Sequence, residues 1–124
     1  MSPKAKAELA REHLGRALPA VTAEDYTEAV TWLFAALEAA IVAVADRHGI
    51  DTQKQHWKKA EVAKQLHDSG VLPHDFSHTL DTLNEARKVA VYEGDTPDLG
   101  DQSLEDLAED VETAVELAGQ EDRR

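Results

Sequence analysis

Leu80-Asp81-Thr82-Leu83-Asn84-Glu85-Ala86-Arg87-Lys88-Val89-Ala90-Val91-Tyr92-Glu93-Gly94 reads as the C-terminal half of an apolar-striped helix. Together with Phe76, the residues Leu80, Leu83 and Ala90 recur at helical spacing and share one face. Arg87 lies on that face, where the pattern asks for an apolar side chain. A guanidinium stays charged at every physiological pH, so burying it calls for a carboxylate, a phosphate or an assembly interface. A tyrosine and a glycine then close the helix.

Outward from this segment the chain continues in the same manner. Five helical segments are expected. The first runs from about Pro3 to Leu18, with Pro19 just past its end. The second and longest has Thr22 as N-cap with Asp25 three residues on, a variant of the capping box. Its stripe is Tyr26, Val30, Leu33, Leu37, Ala40, Ile41 and Val44, and His48-Gly49 ends it. The third spans about His56 to Asp68 with Trp57, Ala60, Ala63 and Leu66 inward, stopped by Ser69-Gly70. The fourth covers about His74 to Glu93, and a polar loop with Pro97 and Gly100 follows. Ser103 caps a fifth helix to about Ala118, striped by Leu104, Leu107, Val111, Ala114 and Ala118. No β-type alternation and no solenoid repeat competes. The expected fold is all-α, an antiparallel up-and-down bundle of four main helices plus one additional helix. Residues 1–119 make one domain, and 120–124 are expected to be a disordered tail.

Composition narrows the function classes. The 124 residues contain no cysteine, which excludes disulfide scaffolds and cysteine-rich metal sites. Residues 1–22 carry no signal-peptide pattern. The apolar run Trp32 to Ala45 is broken by Glu38 and is short for a bilayer, so a soluble cytoplasmic protein with no membrane contact is expected. The net charge is −12 and is concentrated after Tyr92: residues 93–124 hold twelve acids against Arg123 and Arg124. That acidic segment opposes nucleic acid locally and reads as a solvated outer face.

Several constellations could carry chemistry. Lys54, His56, Lys58, Lys59 and Lys64 flank Trp57, a combination that can hold nucleotide phosphate and base. The ordinary reading, favoured here, is the polar face of an amphipathic helix. His74 and His78 stand four apart at the expected start of the fourth helix, a zinc-type spacing. They lack a third ligand, so neither a metal nor another cofactor is expected. No Gly-rich phosphate loop, serine-nucleophile setting or converging carboxylate pair occurs. Arg87 either receives a phosphate or a partner's carboxylate bidentately, or pairs with an acid of a neighbouring helix such as Glu38 or Asp46.

The order of these parts resembles the HEPN family (higher eukaryote and prokaryote nucleotide-binding domains). The pattern from Tyr26 to Ala45 is similar to that family's long second helix, and Gly49 to His56 to its following loop. Leu83 to Asp95 is similar to its Leu-x-x-x-Arg helix end with a spacer to His or Tyr and then Gly or Asp. The resemblance covers roughly Leu9 to Ala118. It implies a dimer with Arg87 at a two-fold cleft and a ligand near Arg87, Lys88 and Tyr92; Lys58 and Lys59 of the basic stretch join them as ligand-binding candidates if the third and fourth helices are neighbours. Catalytic members resemble metal-independent ribonucleases with Arg, four to six residues, then His. Here those places hold Tyr92, Glu93 and Gly94, and no histidine follows His78. Tyrosine, with an ordinary pKa near 10, is a poor proton carrier at neutral pH. The resemblance therefore implies a non-catalytic nucleotide- or RNA-binding module, the partner of a nucleotidyltransferase-like protein or one half of a toxin–antitoxin pair. The alternatives are a ribonuclease using Arg87 and Tyr92, and a purely structural helical adaptor.

Overall fold

The computed structural model describes residues 2–52 and 56–122, without the side chains of 56–58 and 121–122. Among the described residues the chain is all-α, with five helices: α1 Pro3–Thr22, α2 Tyr26–Arg47, α3 His56–Asp68, α4 Ser77–Lys88 and α5 Leu104–Asp122. A π-helical turn, Val89–Glu93, prolongs α4. The helix α2 is the hub. On one side it packs with α1 and α5, which also touch each other; on the other it meets α3 and α4, which pack together. One contiguous core of leucine, valine, isoleucine, alanine and phenylalanine joins the two sides.

The ends of the helices follow from local chemistry. Ser2 caps α1 by accepting from the Ala5 N–H at 3.1 Å, with Pro3 in the first turn, where its missing donor is harmless. Contrary to the expected boundary, α1 does not stop before Pro19; the proline lies inside its last turns. The helix continues to Thr22, whose hydroxyl donates back to the Leu18 carbonyl at 3.2 Å, so Thr22 is not the N-cap of α2. Paired hydrogen bonds close α1, Asp25 N–H to Ala20 at 2.9 Å and Glu24 N–H to Val21 at 3.1 Å, the arrangement of a Schellman motif. They force Glu24 into the left-handed region at φ 56°. Asp25 then caps α2, accepting from the Glu28 N–H at 3.3 Å.

The same motif ends α2, with the Ile50 N–H on Ala45 at 2.9 Å. Its left-handed residue is Gly49 at φ 70°, the residue type for which that conformation carries no Cβ penalty. The third helix spans His56–Asp68 as expected. Ser103 caps α5 reciprocally: it accepts from the Asp106 N–H, and Asp106 accepts from the Ser103 N–H, both at 3.1 Å. The fifth helix continues to Asp122, past the expected end at Ala118, while Arg123 and Arg124 lie outside the described residues.

The expected stripes are buried with one exception. Tyr26, placed on the inner stripe of α2, is 37% exposed; it is the first residue of the helix and borders an open hollow toward the loop before α5. The inward position expected for Trp57 lies outside the described side chains. The helix α2 buries far more than its stripe, adding Ala29, Phe34, Ala36, Val42, Ala43 and Ala45, as a helix with neighbours on both sides must. At 22 residues it also has the length and apolarity to cross a membrane; in this bundle its apolar residues form the core.

Candidate functional site

Arg87 stands in the last turn of α4, where a cation suits the partial negative charge of the helix end. Its guanidinium lies over the Phe34 ring of α2, Cζ 4.8 Å from the centroid, and Nη2 donates to Asn84 Oδ1 at 3.0 Å. The side chain is half-buried, and its Nε is fully enclosed with no acceptor. Among the described residues no carboxylate pairs with it. The two acids expected as structural partners are engaged elsewhere: Asp46 takes Lys6 at 2.6 Å, and Glu38 takes Lys59 at 3.3 Å. A cation–π contact supplies about 0.5–2 kcal/mol. An enclosed donor left without an acceptor costs about 1–3 kcal/mol. The protein thus holds this cation without answering its charge.

Lys59 corrects an expectation. It was placed with Lys58 and Lys64 on the solvated face of the third helix. Instead it is only 8% exposed and reaches inward to Glu38 on α2, since an ammonium so enclosed requires a counter-charge. Lys64 is exposed as expected and pairs with Asp68 at 3.2 Å. The side chains of Lys58, His56 and Trp57 lie outside the description, as does Lys54. Glu38 follows Phe34 by four residues, so the two stand one above the other on α2. The fold therefore brings Arg87 from α4 and Lys59 from α3 onto one short column of α2.

The remaining expected site residues stand apart. Lys88 is exposed and tied to Glu85 of its own helix at 3.4 Å. Tyr92 is 72% exposed, and among the described residues it makes no polar or ring contact with Arg87. Five residues after Arg87, Tyr92 is already about 140° round an α-helix from it. An α-helix continuous to Glu93 was expected, but from Val89 the spacing widens, and Ala90 is buried while Val91 and Tyr92 turn outward. Gly94, left-handed at φ 71°, then ends it.

The other candidates resolve simply. His74 precedes α4, which begins at Ser77, so it shares no helix face with His78; it stands edge-on to Phe76 at 6.0 Å. Among the described residues no group of three histidines or acids could hold a metal ion. Asp75 accepts from the Ser77 N–H at 2.9 Å, and the Ser77 hydroxyl and N–H hold its carboxyl below the ordinary value. Beside α4 a groove of about 510 Å³ is lined by His78, Asp81, Glu85, Asp98 and Asp101, an acidic surface that repels phosphate. On the α1–α2 side His13 stacks on Trp32 at 5.3 Å, and Arg16 covers the same ring at 4.8 Å. The Trp32 indole N–H donates to Glu28 at 3.0 Å.

Sequence reasoning found Arg87 but missed Phe34, Asn84 and the inward role of Lys59. Phe34 had a legible signal: it is apolar and lies off the chosen stripe of α2, which marks a second packing face. Lys59 had none, because lysines on either side of a helix look alike in sequence. No protein-family model, curated protein or solved structure matches the chain.

Proposed function

We propose that the chain is a HEPN-like binding module without catalytic activity of its own, which receives a phosphate group of a nucleotide or short RNA on Arg87. One observation carries this reading: a half-buried guanidinium, preorganised over Phe34 and by Asn84, that has no carboxylate among the described residues. Arg is the side chain whose planar fork suits phosphate bidentately. Lys88, exposed on the same helix end, stands at the rim. The acidic groove by Asp98 and Asp101 confines the favourable potential to the α2–α3–α4 side. The wide exposure of Tyr92 supports binding over hydrolysis, since a proton carrier must lie within hydrogen-bond reach of the reacting group. In this reading the module works as a homodimer beside a nucleotidyltransferase-like partner or within a toxin–antitoxin pair, needs no metal, and operates in the cytoplasm.

Thermal unfolding with AMP, ATP, pyrophosphate and 5′-phosphorylated or 5′-hydroxyl oligoribonucleotides tests it. A ligand at a hundred times its Kd stabilises by about 2.7 kcal/mol, on the order of 10 °C for a domain of this size. The expected result is a shift in wild type that vanishes in Arg87→Met, whose stem still covers Phe34. If no phosphate compound shifts wild type, the phosphate reading fails. A melting point that rises with protein concentration and drops in Arg87→Met would instead make a partner's carboxylate the occupant.

A further inference from the structure

Lys59 and Arg87 approach the same column of α2 from different helices, yet only one of them is paired. Arg87 is over Phe34, Cζ 4.8 Å from the ring; Lys59 Nζ is 3.3 Å from Oε1 of Glu38, one turn further along. A planar guanidinium is the better partner for a carboxylate, because two parallel N–H donors match its two oxygens. Glu38 follows Phe34 by one turn of α2, yet Arg87 does not pair with it. It takes the neutral amide oxygen of Asn84 instead, and its Nε goes without an acceptor. Glu38 is held by Lys59, an almost wholly enclosed ammonium that itself cannot do without that carboxylate.

We infer that Lys59 is a positioning residue: by holding and neutralising Glu38 it prevents an internal Arg87–Glu38 ion pair and keeps the guanidinium open to an external anion. This deepens, and rests on, the phosphate reading above. Lys59 and Glu38 answer each other, as Lys88 and Glu85 do at the rim, while among the described residues no carboxylate pairs with Arg87. Lys59 contributes to binding without touching the ligand, and its effect passes through Glu38. The consequence is a specific rescue. Removing Lys59 alone hands Glu38 to Arg87 and closes the site; removing the charge of Glu38 as well reopens it.

The experiment compares wild type, Lys59→Met and Lys59→Met/Glu38→Gln. Two readouts are followed: affinity for pyrophosphate by calorimetry, and the Arg87 Nε–H signal in ¹⁵N-correlated spectra, assigned with Arg87→Lys. Expected are a tenfold or greater loss of pyrophosphate affinity in Lys59→Met and recovery to within about threefold of wild type in the double variant. The Nε–H signal moves in Lys59→Met and returns in the double variant. If Lys59→Met does not fold, Lys59→Gln, which still donates to Glu38 but carries no charge, takes its place. Wild-type affinity in the single variant overturns the inference. So does a double variant as weak as the single one, which would mean that Lys59 contacts the ligand or serves only the fold. If wild type binds no phosphate compound, the phosphate reading falls by itself, and the Nε–H signal alone decides: unchanged in Lys59→Met, it overturns the positioning role; moved and then restored, it supports it.

Discussion

Arg87 and His13 show how much one side chain's meaning depends on what encloses it. Both interrupt apolar helix faces, and each keeps a buried nitrogen without a partner. For Arg87 the charge is permanent, and among the described residues no carboxylate answers it. For His13 the charge is optional. Burial against Trp32 lowers its pKa from the ordinary 6.5, the Arg16 cation lowers it further, and Glu12 opposes both. The unfolded chain therefore binds a proton that the folded chain resists. Stability from neutral His13 is complete above pH 6.5 and declines as the pH falls through that value toward the lower folded pKa. Thermal unfolding between pH 7.5 and 5.5, above the range where carboxylates titrate, is expected to show a falling melting temperature. The fall should be shallower in His13→Phe, which keeps the stack on Trp32. An identical slope in the two proteins would assign the pH dependence elsewhere.

At the scale of the elements, stop signals were legible where a side chain or a glycine made them and illegible where backbone geometry did. Ser103 and Gly49 announced their roles. The end of α1 did not, because it is closed by Glu24, a residue with no preference for the left-handed conformation it adopts. That conformation costs a non-glycine residue about 1–2 kcal/mol, more than the extra chain freedom of glycine, about 0.5–1 kcal/mol. Glu24→Gly is thus expected to stabilise the protein by roughly 0.5 kcal/mol, read as a later midpoint in urea with an unchanged slope. The π turn at Val89–Glu93 was equally silent in sequence. No residue in it forbids an α-helix. The resemblance put Arg87 and Tyr92 in one site; in the fold Tyr92 stands 72% exposed, without contact to Arg87 among the described residues.

For the whole molecule, α2 is the element on which everything rests. Leu37, fully buried at the middle of α2, is expected to cost about 2–5 kcal/mol when changed to alanine. Loss of α1–α5 and α3–α4 packing should then occur in a single transition, and two separate transitions would show that the halves fold independently. The fold class, the five helices and nearly every inward stripe were written in the sequence, because helical periodicity is a local property that one chain segment carries by itself. Arg87 could be singled out in the same way, as a charge where the period demanded an apolar group. Which charges meet was decided only in three dimensions. Asp46 went to Lys6 and Glu38 to Lys59, and Arg87 was left on Phe34, because pairing depends on how helices distant in sequence are turned toward each other. Periodicity tells which face of a helix is buried; it is silent about which neighbour buries it.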